Sequence, residues 1–377
     1  MQALQLSRWL SGDGGGGIQA YLASVSGALK CTSVSVCFAA LMPGTLPEFS
    51  SGICRVGDDG SKLLNALKLW RWMARNRKSF DLIHIHGVTD WHFVIGFVFC
   101  RWYSLPCVVT AHGGLLQGAL DRIGITGGVA ARLYLRRVLP FLLSRVQVAV
   151  ASSCPEARSI GEITKSVPVK IIPPSILIPS QSPSFDQRPS SLRILYLGRI
   201  APIKSLETLV TAVAMLSSKG LEVGLDVVGC GEEDYVYSIK QLAERYSVAK
   251  LIIWHGYLSG QAKLAIIRSA RLLVLPSISE NFGFVVAEAM AAGRPVVISD
   301  GVALCEMVRS YDAGSVFAVG SAPELSSRII SYADDKFWEA KARHAFDCAR
   351  REFSLQAMGS MLEAAYHDAT AQMEAHR

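Results

Sequence analysis

Two glutamates that flank a glycine turn are the residues of this chain best suited to chemistry. Glu280 and Glu288 lie eight residues apart in the segment SENFGFVVAEAMAAGRPVVISDGVA, residues 279–303. The apolar run 272–276 before this segment predicts a buried parallel strand, and residues 285–292 after the turn predict a helix. The turn is therefore expected at the carboxyl end of a strand, where open α/β sheets bind ligands.

The turn offers a ligand two kinds of group. The backbone N–H groups of Asn281, Phe282 and Gly283 would lie at a helix N-terminus, which stabilises a phosphate. Two carboxylates would repel a diphosphate, so we expect Glu288 to bind ribose hydroxyls and Glu280 to bind the group attached to the phosphate. The chemistry predicted is recognition of a sugar nucleotide. Solvated or capping glutamates are the alternative, which leaves the surrounding glycines and proline unexplained.

The pattern E-x7-E followed by AMAxGxPVVxSD is similar to the signature of the family 4 glycosyltransferases, which are retaining enzymes of GT-B architecture. The resemblance implies an α/β protein with two Rossmann-like, doubly wound parallel-sheet domains facing across a cleft. It also implies transfer of a hexose from a nucleoside diphosphate sugar. The expected acceptor is a lipid-linked or other glycan, in the biosynthesis of a bacterial surface polysaccharide such as exopolysaccharide or lipopolysaccharide.

A loop earlier in the same half supplies cations. Residues 197–204, LGRIAPIK, follow a predicted strand, so that Gly198 allows close backbone approach and Arg199 and Lys204 offer two charges to a diphosphate. The family uses this pair to stabilise the leaving nucleoside diphosphate. Ser205 stands where the family usually has glycine, which affects loop geometry more than charge. Judged alone, the motif also fits a basic loop without a ligand.

Two further turns complete the predicted donor site. Residues 228–231, VGCG, resemble the family's VGxG turn, where Gly229 lets the backbone pass close to the nucleotide. His255 and Gly256 stand where the family has a turn beside the base. We expect His255 either to contact base or ribose or to have only a structural role at a strand end.

Glycines and histidines are the candidate residues of the first half. Residues 12–17, GDGGGG, match GxGxxG, but the acid expected about twenty residues later at the end of the second strand is missing. The missing acid argues against an NAD site. The resemblance implies instead that Gly16 and Gly17 approach the donor phosphate and sugar.

Residues 81–87, DLIHIHG, and 108–114, VVTAHGG, resemble two family segments. His84 and His86 alternate along a strand and share one face. No cysteine or clustered carboxylate completes a metal shell, so we expect them to be hydrogen-bonded rather than metal-bound. In the family, the histidine that corresponds to His112 reaches the donor sugar, and the loop 113–121 faces the acceptor.

The mechanism expected is a substitution on one face of the sugar. Double displacement needs a carboxylate nucleophile, and the histidine–glycine ends of these two segments contain none. Arg199, Lys204 and the backbone amides would stabilise the leaving diphosphate, so we expect no metal and no other cofactor. The adjacent pair Asp58 and Asp59 does not form a spaced DxD metal motif. The residues predicted to be catalytic are Arg199, Lys204, Glu280 and His112.

Three other functions are possible for this architecture: an epimerase, a phosphorylase and a non-catalytic nucleotide-binding protein. An epimerase would carry catalytic acids in its first domain, and a phosphorylase would need a pyridoxal lysine; neither is evident. A non-catalytic nucleotide-binding relative should have lost Arg199, Lys204 or Glu288, and all three are present.

Length and patterning predict two domains. A chain of 377 residues exceeds what one core usually supports. Apolar strands are predicted at 3–9, 33–41, 82–86, 107–111, 146–151, 193–197, 223–228, 250–254, 271–275 and 295–299. We expect an acceptor domain over 1–179, joined by a helix at 355–377, then a Ser/Pro-rich linker at 180–191 and a donor domain over 192–354.

Composition and charge indicate the cellular compartment of the protein and the kind of surface it presents. The start of the chain lacks signal-peptide features, and nine scattered cysteines without CxxC favour a reducing, cytoplasmic compartment. Residues 1–190 carry 19 Lys and Arg against 10 Asp and Glu, whereas the rest carry 19 against 21. Predicted helices at 67–78 and 131–145 interleave this charge with aromatic residues; the basic residues are Lys68, Arg71, Arg75, Arg132, Arg136 and Arg137.

Two interpretations of these basic helices stay open. They dock the protein on the inner face of an anionic membrane, or they present a solvated basic face whose aromatics belong to the core. No nucleic-acid-binding motif accompanies the charge, so nucleic acid is not an expected partner.

Overall fold

The computed structural model of the protein describes residues 1–8, 17–40, 53–55, 61–116, 120, 128–179, 183, 185 and 191–375. These residues form two compact units, Met1–Ser175 with Leu355–Arg377, and Ile176–Ser354. Each unit has one parallel sheet with helices packed on it. The doubly wound α/β fold class predicted from the alternation of strands and helices is therefore confirmed.

The sheet of the first unit has the strand order β3-β2-β1-β4-β5-β6-β7, and that of the second has the order β10-β9-β8-β11-β12-β13. The strands of the first unit are β1 Gln2–Ser7, β2 Ser35–Ala40, β3 Ile53–Arg55, β4 Leu82–His86, β5 Cys107–Thr110, β6 Val148–Ala151 and β7 Val169–Ile171. Those of the second are β8 Leu192–Leu197, β9 Val223–Val228, β10 Ile252–Gly256, β11 Leu272–Leu275, β12 Val296–Ser299 and β13 Gly314–Phe317. The strands β3, β7 and β13, which lie at the edges of the two sheets, were not predicted.

The helices follow the strands along the chain. They are α1 Gly17–Leu29, α2 Lys62–Arg75, α3 Trp91–Tyr103, α4 Gly128–Leu133, α5 Leu139–Leu143, α6 Cys154–Ile163, α7 Leu206–Ser218, α8 Glu233–Arg245, α9 Gly260–Ser269, α10 Phe284–Ala291, α11 Cys305–Ser310, α12 Ala322–Ile330, α13 Asp335–Glu352 and α14 Leu355–Ala375. Tyr134–Val138 forms a π-helical turn between α4 and α5, so the helix predicted at 131–145 is interrupted. Among the described residues, no helix is both long and apolar enough to cross a bilayer.

Two apolar layers cover the sheet of the first unit. Side chains of α2, α3, α5 and α6 pack on the face that includes Leu4, Leu6 and Ile85. The opposite face is covered by α1 and α14, whose side chains surround Ala3 and Val108. The last helix of the chain therefore belongs to the core of the first unit.

The boundary between the units lies at Ser175 and Ile176, before the predicted linker. Ile176 donates its N–H to the carbonyl of Phe353 and packs in the core of the second unit. Phe185 is also buried in that core, and Arg343 lies over its ring at 4.8 Å. The segment 180–191 was expected to contribute little to a core, and Phe185 is the exception. Its residues 180–182, 184 and 186–190 lie outside the described residues.

The aromatic residues of the basic helix α2 face inward. Trp70 packs edge-on against Phe99, with ring centroids 5.0 Å apart, and Trp72 is half-buried against the same apolar layer. The surface of α2 instead carries apolar side chains between its cations, namely Leu63, Leu64 and Leu67. The sequence left open whether these tryptophans belong to a membrane-facing surface or to the core, and the structure packs both against the apolar layer on the sheet.

Candidate active site

The loop after β8 places a glycine and two cations at the carboxyl end of the second sheet. Gly198 has φ +152° and donates its N–H to the carbonyl of Val228. Arg199 is exposed, and its guanidinium makes no hydrogen bond or ion pair with a described residue. Lys204 ends the 3₁₀ turn Pro202–Lys204. Both cations predicted for a diphosphate therefore lie on one loop.

Backbone conformation accounts for the residue after this lysine. Ser205 adopts the left-handed conformation, with φ 51° and ψ 50°, at the N-cap of α7. Its hydroxyl lies 2.8 Å from Oγ1 of Thr208. Glycine reaches this conformation without strain, whereas another L-residue is disfavoured there. The glycine usual in the family and the serine of this chain thus satisfy the same turn.

Gly229 and Gly231 are required by the neighbouring loop. A Cβ on Gly229 would lie 1.9 Å from the carbonyl oxygen of Gly198, and one on Gly231 would lie 1.9 Å from that of Ile200. Ile200 and Gly231 also form an isolated parallel bridge. The close approach seen at this turn is to the loop that carries Arg199. A contact between Gly229 and a nucleotide stays a prediction.

Glu280 is anchored on its loop by the backbone and by an ion pair. Its N–H donates to the carbonyl of Gly301, and its own carbonyl accepts from the N–H of Ala303. Lys204 Nζ donates to Glu280 Oε2, and the two side chains are 15% and 23% exposed. The ion pair therefore brings together the two motifs that the sequence assigned to one site.

The turn before α10 presents backbone donors. Gly283 caps the helix in a left-handed conformation with φ +86°. The N–H groups of Phe282 and Gly283 donate to no described residue. The ring of Phe282 is buried against Phe284 and Phe353, so Phe282 can meet a ligand only through its backbone. Asn281 is half-buried on the same turn.

Glu288 lies on α10 beside a lysine that sequence reasoning missed. Lys263 of α9 donates from Nζ to Glu288 Oε1 at 2.7 Å. The other oxygen, Oε2, is buried and has no hydrogen-bond partner among the described residues. A buried carboxylate oxygen without a donor is destabilising unless a ligand or water supplies one. Glu288 therefore offers one acceptor to a ligand.

His255 takes part in a charged cluster. Its Nε2 lies 2.6 Å from Asp226 Oδ1, and Arg193 donates to the same carboxylate at 2.6 and 2.7 Å. Burial raises the pKa of Asp226, but the hydrogen bonds from Arg193 and His255 outweigh it and leave that pKa below its ordinary value. The cluster joins β8, β9 and β10, which is the structural role that the sequence left open. Contact between His255 and a base stays a prediction.

The glycine-rich loop of the first unit is described only at its end. Gly17 is the first residue of α1, and Gly16 lies outside the described residues, as do Asp58 and Asp59. Residues 117–119 and 121 of the loop predicted to face the acceptor also lie outside them.

His112 lies in a strained turn after β5. Its φ is +54°, which is uncommon for a residue with a side chain. The next N–H, that of Gly113, donates to Glu156 Oε1. Glu156 is fully buried, and its other oxygen accepts from the N–H and the hydroxyl of Ser152 at 2.7 Å each. Such strain persists only where surrounding contacts hold it, and Glu156 provides them.

The histidines of the first unit form a neutral group in which His84 and His86 are buried and His112 is half-buried. His86 Nδ1 lies 3.0 Å from His112 Nε2, and His84 Nδ1 lies 2.9 Å from the hydroxyl of Tyr366 on α14. Burial lowers the pKa values of His84 and His112 to about 3 and holds that of His86 well below its ordinary value. The described residues contain no group of three His, Cys, Asp or Glu side chains arranged to hold a metal.

Sequence reasoning missed three residues of these sites. Glu156 follows Ser153 in a Ser-x-x-Glu capping pattern after a strand, a signal that was available. The polar residue Gln5 interrupts the apolar strand β1, and this interruption was a second signal in the sequence. In the structure Gln5 is fully buried. No sequence signal links Lys263 to Glu288, because the contact depends on how α9 packs beside α10.

Two glycosyltransferase family models match successive parts of the chain. The model of Glycosyltransferase Family 4 matches residues 15–176, and that of Glycosyl transferases group 1 matches residues 179–353. The chain is 23% identical over 318 residues to the D-inositol 3-phosphate glycosyltransferase of Corynebacterium glutamicum, covering 79% of this chain and 74% of the relative. It is 26% identical over 272 residues to the phosphatidyl-myo-inositol mannosyltransferase of Mycolicibacterium smegmatis, covering 71% and 65%.

The fold has solved counterparts. HepE of Anabaena, in complex with UDP, superposes with a TM-score of 0.78 at 19% identity, covering 97% of this chain and 99% of that chain. The two family matches follow one another along nearly the whole chain. The protein belongs to the family 4, or group 1, glycosyltransferases and has the GT-B fold.

Proposed function

We propose that this glycosyltransferase is a retaining enzyme that moves a hexose from a nucleoside diphosphate sugar to a lipid-linked or oligosaccharide acceptor of a bacterial surface polysaccharide. One observation carries the proposal. Exposed Arg199, the Lys204–Glu280 pair and N–H groups without an acceptor among the described residues occur together at the carboxyl ends of β8 and β11. This set fits a diphosphate that carries a sugar.

The ion pair explains how one site holds both phosphate and sugar. Lys204 is a compact cation on a flexible stem, so phosphate oxygens can replace Glu280 as its partner. Glu280 is then released to accept hydrogen bonds from sugar hydroxyls. The cations Arg199 and Lys204 stabilise the charge that develops on the departing diphosphate, and the proposal includes no metal ion.

The proposed reaction keeps the sugar's anomeric configuration. The bond between the anomeric carbon and the diphosphate oxygen breaks, and its electron pair stays with the diphosphate. The acceptor oxygen forms its bond to the anomeric carbon on the same face, and its proton passes to the departing oxygen. The resemblance adds His112, Gly16 and Gly17 as groups beside the donor, with His112 acting as a neutral hydrogen-bonding group.

The nucleoside half of the donor has its own proposed contact. The buried Oε2 of Glu288 has no described partner, and a ribose hydroxyl would supply the missing donor. Lys263 holds Oε1 and so keeps the carboxylate in place. The base contact proposed for His255 is available only through Nδ1, since Nε2 is used by Asp226.

Binding and turnover test the proposal in sequence. A thermal-shift panel of UDP, GDP, ADP, dTDP and CDP should give a rise in the unfolding temperature for at least one, because a ligand of the native state stabilises it. UDP-, GDP- and ADP-sugars should then be assayed with and without EDTA. The acceptor panel should contain lipid-linked glycans, D-inositol 3-phosphate and phosphatidylinositol, since the named relatives act on inositol compounds.

The stereochemistry of the product decides the reaction type. Proton NMR of the first product formed should show the anomeric configuration of the donor. An inverted product would exclude same-face substitution, and the absence of any nucleoside diphosphate binding would exclude the donor site itself.

We also propose that the first unit docks on an anionic membrane at the cytoplasmic face. Exposed apolar and basic residues alternate on α2 and on the interrupted helix 128–143. The apolar residues are Leu63, Leu64, Leu67, Val129, Leu133 and Phe141. The exposed cations are Lys68, Arg71, Arg75, Arg132, Arg136 and Arg137. Such faces suit an interface of headgroups and acyl chains.

Vesicle cosedimentation tests the docking surface. Each basic residue near an anionic leaflet contributes about 1 kcal/mol, so Arg71→Glu, Arg132→Glu and Arg136→Glu together should release the protein from phosphatidylglycerol vesicles. Binding should weaken as salt is raised. The matched control reverses three cations of the second unit, Lys219, Lys240 and Lys250. If the wild-type protein does not bind these vesicles at low salt, the docking proposal is wrong and the basic residues form a solvated face.

A further inference from the structure

A chain of hydrogen bonds runs from β1 to His112 inside the first unit. Gln5 Nε2 donates to the hydroxyl of Tyr366 at 3.1 Å, and Gln5 Oε1 lies 2.8 Å from His86 Nε2. His86 Nδ1 lies 3.0 Å from His112 Nε2. Gln5 is fully buried, and His86 is 2% exposed. Each of these hydrogen bonds uses a different side-chain atom, so the donor and the acceptor of every bond can be assigned.

The direction fixes where each proton lies. A carbonyl oxygen only accepts, so His86 must carry its proton on Nε2 to donate to Gln5 Oε1. In a neutral ring Nδ1 is then an acceptor, and His112 must carry its proton on Nε2 to donate to it. His112 Nδ1 is left without a proton and has no partner among the described residues.

Burial prevents the alternative of a charged ring. Protonating His86 would place a charge in the core, where the Tyr366 and His84 side chains offer no counter-charge. His112 is half-buried, and desolvation lowers the pKa of its ring to about 3. The titratable groups that face the neighbouring rings of His84 and His86 come from several elements. They are Tyr21 of α1, His92 of α3, His112 after β5 and Tyr366 of α14, of which Tyr366 contacts His84. Glu156 is near this group, but its carboxylate is used by Gly113 and Ser152.

We propose that Gln5 and His86 are positioning residues that hold His112 in the tautomer protonated on Nε2, so that Nδ1 presents a lone pair to the donor sugar. This inference rests on the proposed function for its ligand. A lone pair accepts a hydroxyl hydrogen and repels a carboxylate. The substrate class that follows is a sugar nucleotide with a hydroxyl at the contacted position, and a uronic acid is disfavoured there.

The tautomer is measurable without any ligand. Nitrogen-15 NMR of histidine-labelled protein separates protonated from unprotonated ring nitrogens, with the His112 signals identified from a His112→Asn sample. In the wild-type protein at neutral pH, His112 Nδ1 should show the shift of an unprotonated nitrogen. A protonated Nδ1 would mean that the Gln5 amide is turned round, and it would overturn the proposal even if the enzyme is active.

Two substitutions of Gln5 separate positioning from packing. Gln5→Met removes the acceptor at similar volume, so His112 should become a mixture of tautomers and kcat/KM should fall by about 3- to 10-fold, as for a lost neutral hydrogen bond. Gln5→Glu keeps an acceptor toward His86 and should restore the wild-type tautomer and activity at alkaline pH. Thr110→Val is the matched control, since it removes the partner of His84 Nε2 and leaves the chain to His112 intact.

The pH profile provides a readout that packing alone would not move. A carboxylate at position 5 favours protonated His86, which must donate from both nitrogens. His112 Nε2 then has to accept, its proton moves to Nδ1, and activity should fall at a higher pH than in the wild-type enzyme. An unshifted acid limb in Gln5→Glu, with wild-type folding, would contradict the proposal.

The proposed function and this inference fail in different ways. If none of the UDP-, GDP- and ADP-sugars is turned over by the wild-type protein, the function is wrong, and the NMR result still stands by itself. If a donor is turned over and Gln5→Met changes neither the tautomer nor kcat/KM, the positioning role is wrong.

Discussion

The two units of the chain use one fold to hold opposite kinds of polar group. In the first unit, His112 belongs to a chain of hydrogen bonds between the neutral side chains of His86, Gln5 and Tyr366. The second unit instead carries ion pairs, Lys204 with Glu280 on the loops after β8 and β11, and Lys263 with Glu288 between α9 and α10. In each unit the set includes residues at the carboxyl ends of parallel strands, His86 and His112 in the first and Lys204 and Glu280 in the second.

The difference concerns how readily each set can change partners. A buried neutral network cannot exchange a member without leaving an unsatisfied group, so it is rigid. Ion pairs that are 15% to 32% exposed remain in contact with solvent and can be opened by a charged ligand. We therefore expect the second unit to change its ionic contacts on binding and the first unit to keep its geometry.

The largest expected effect is on turnover through the cations of the second unit. Arg199→Ala or Lys204→Ala should lower kcat by about 100-fold or more, because each removes a charge that stabilises the leaving diphosphate. Lys219→Ala, an exposed lysine at the end of α7, is the control and should keep wild-type turnover. Steady-state kinetics with saturating donor measures the effect. Wild-type kcat in both variants would refute the assignment of these cations.

The next effect separates the two carboxylates. Glu288→Ala should weaken binding of the nucleoside diphosphate by about 1 to 3 kcal/mol, because its buried acceptor is lost. Glu280→Ala should leave this binding almost unchanged and impair transfer, since Glu280 is proposed to meet the sugar. Isothermal calorimetry with the diphosphate, followed by assays, gives both numbers. The reverse pattern would mean that the two roles are exchanged.

Lowering the pH should destabilise the first unit before it destabilises the second. The pKa values of His84 and His112 are about 3 in the folded state and about 6.5 when unfolded. Between these values the unfolded chain binds more protons, so the free energy of unfolding falls as pH drops below about 6.5, by up to about 1.4 kcal/mol per pH unit for each histidine. Above that pH this contribution is fully present.

Hydrogen exchange can follow this loss unit by unit. Amide protection of peptides from β4 and β5 should decline between pH 7 and pH 5 after correction for intrinsic exchange. Peptides from β11 and β12 serve as the internal control, since no buried neutral histidine supports them. Equal declines in both units would contradict the contrast drawn between them.

The smallest effect is expected at Ser205. Ser205→Gly removes the left-handed strain of about 1 to 2 kcal/mol and also the hydroxyl contact with Thr208, worth about 0.5 to 1.5 kcal/mol. The net change in the free energy of unfolding should stay within about 1 kcal/mol, with turnover retained. Ser205→Val is the contrasting variant, because a β-branched residue is strongly disfavoured at positive φ. Thermal denaturation and kcat of both variants measure the outcome.

Much of the fold could be predicted from patterning. Buried parallel strands are rich in apolar residues, and β4 and β9 were predicted with their observed bounds. The short edge strands β3 and β7 carry too few residues to show a pattern. The orientation of Trp70 stayed open in the sequence because helical spacing places aromatic and basic residues on adjacent stripes without showing which stripe meets the sheet.

The residues of the candidate site also include some that the sequence could predict and some that it could not. Residues that work through the local backbone, such as Gly283 and Ser205, could be predicted because turn geometry is encoded over a few positions. Contacts between distant elements could not, as Lys263 with Glu288 and Gln5 with His86 show. Such pairs depend on how elements pack, and a single sequence contains no record of that packing.

The return of α14 to the first unit has a consequence for how the chain is made. Met358, Leu362 and Tyr366 cover one face of the first sheet, yet they are synthesised after the whole second unit. During translation only α1 is available to cover that face, so the part that α14 covers stays exposed until the end of the chain is made. The second unit can fold from a continuous segment as soon as it emerges. A ribosome that stops before codon 355 would therefore release a chain with one finished unit and one aggregation-prone surface.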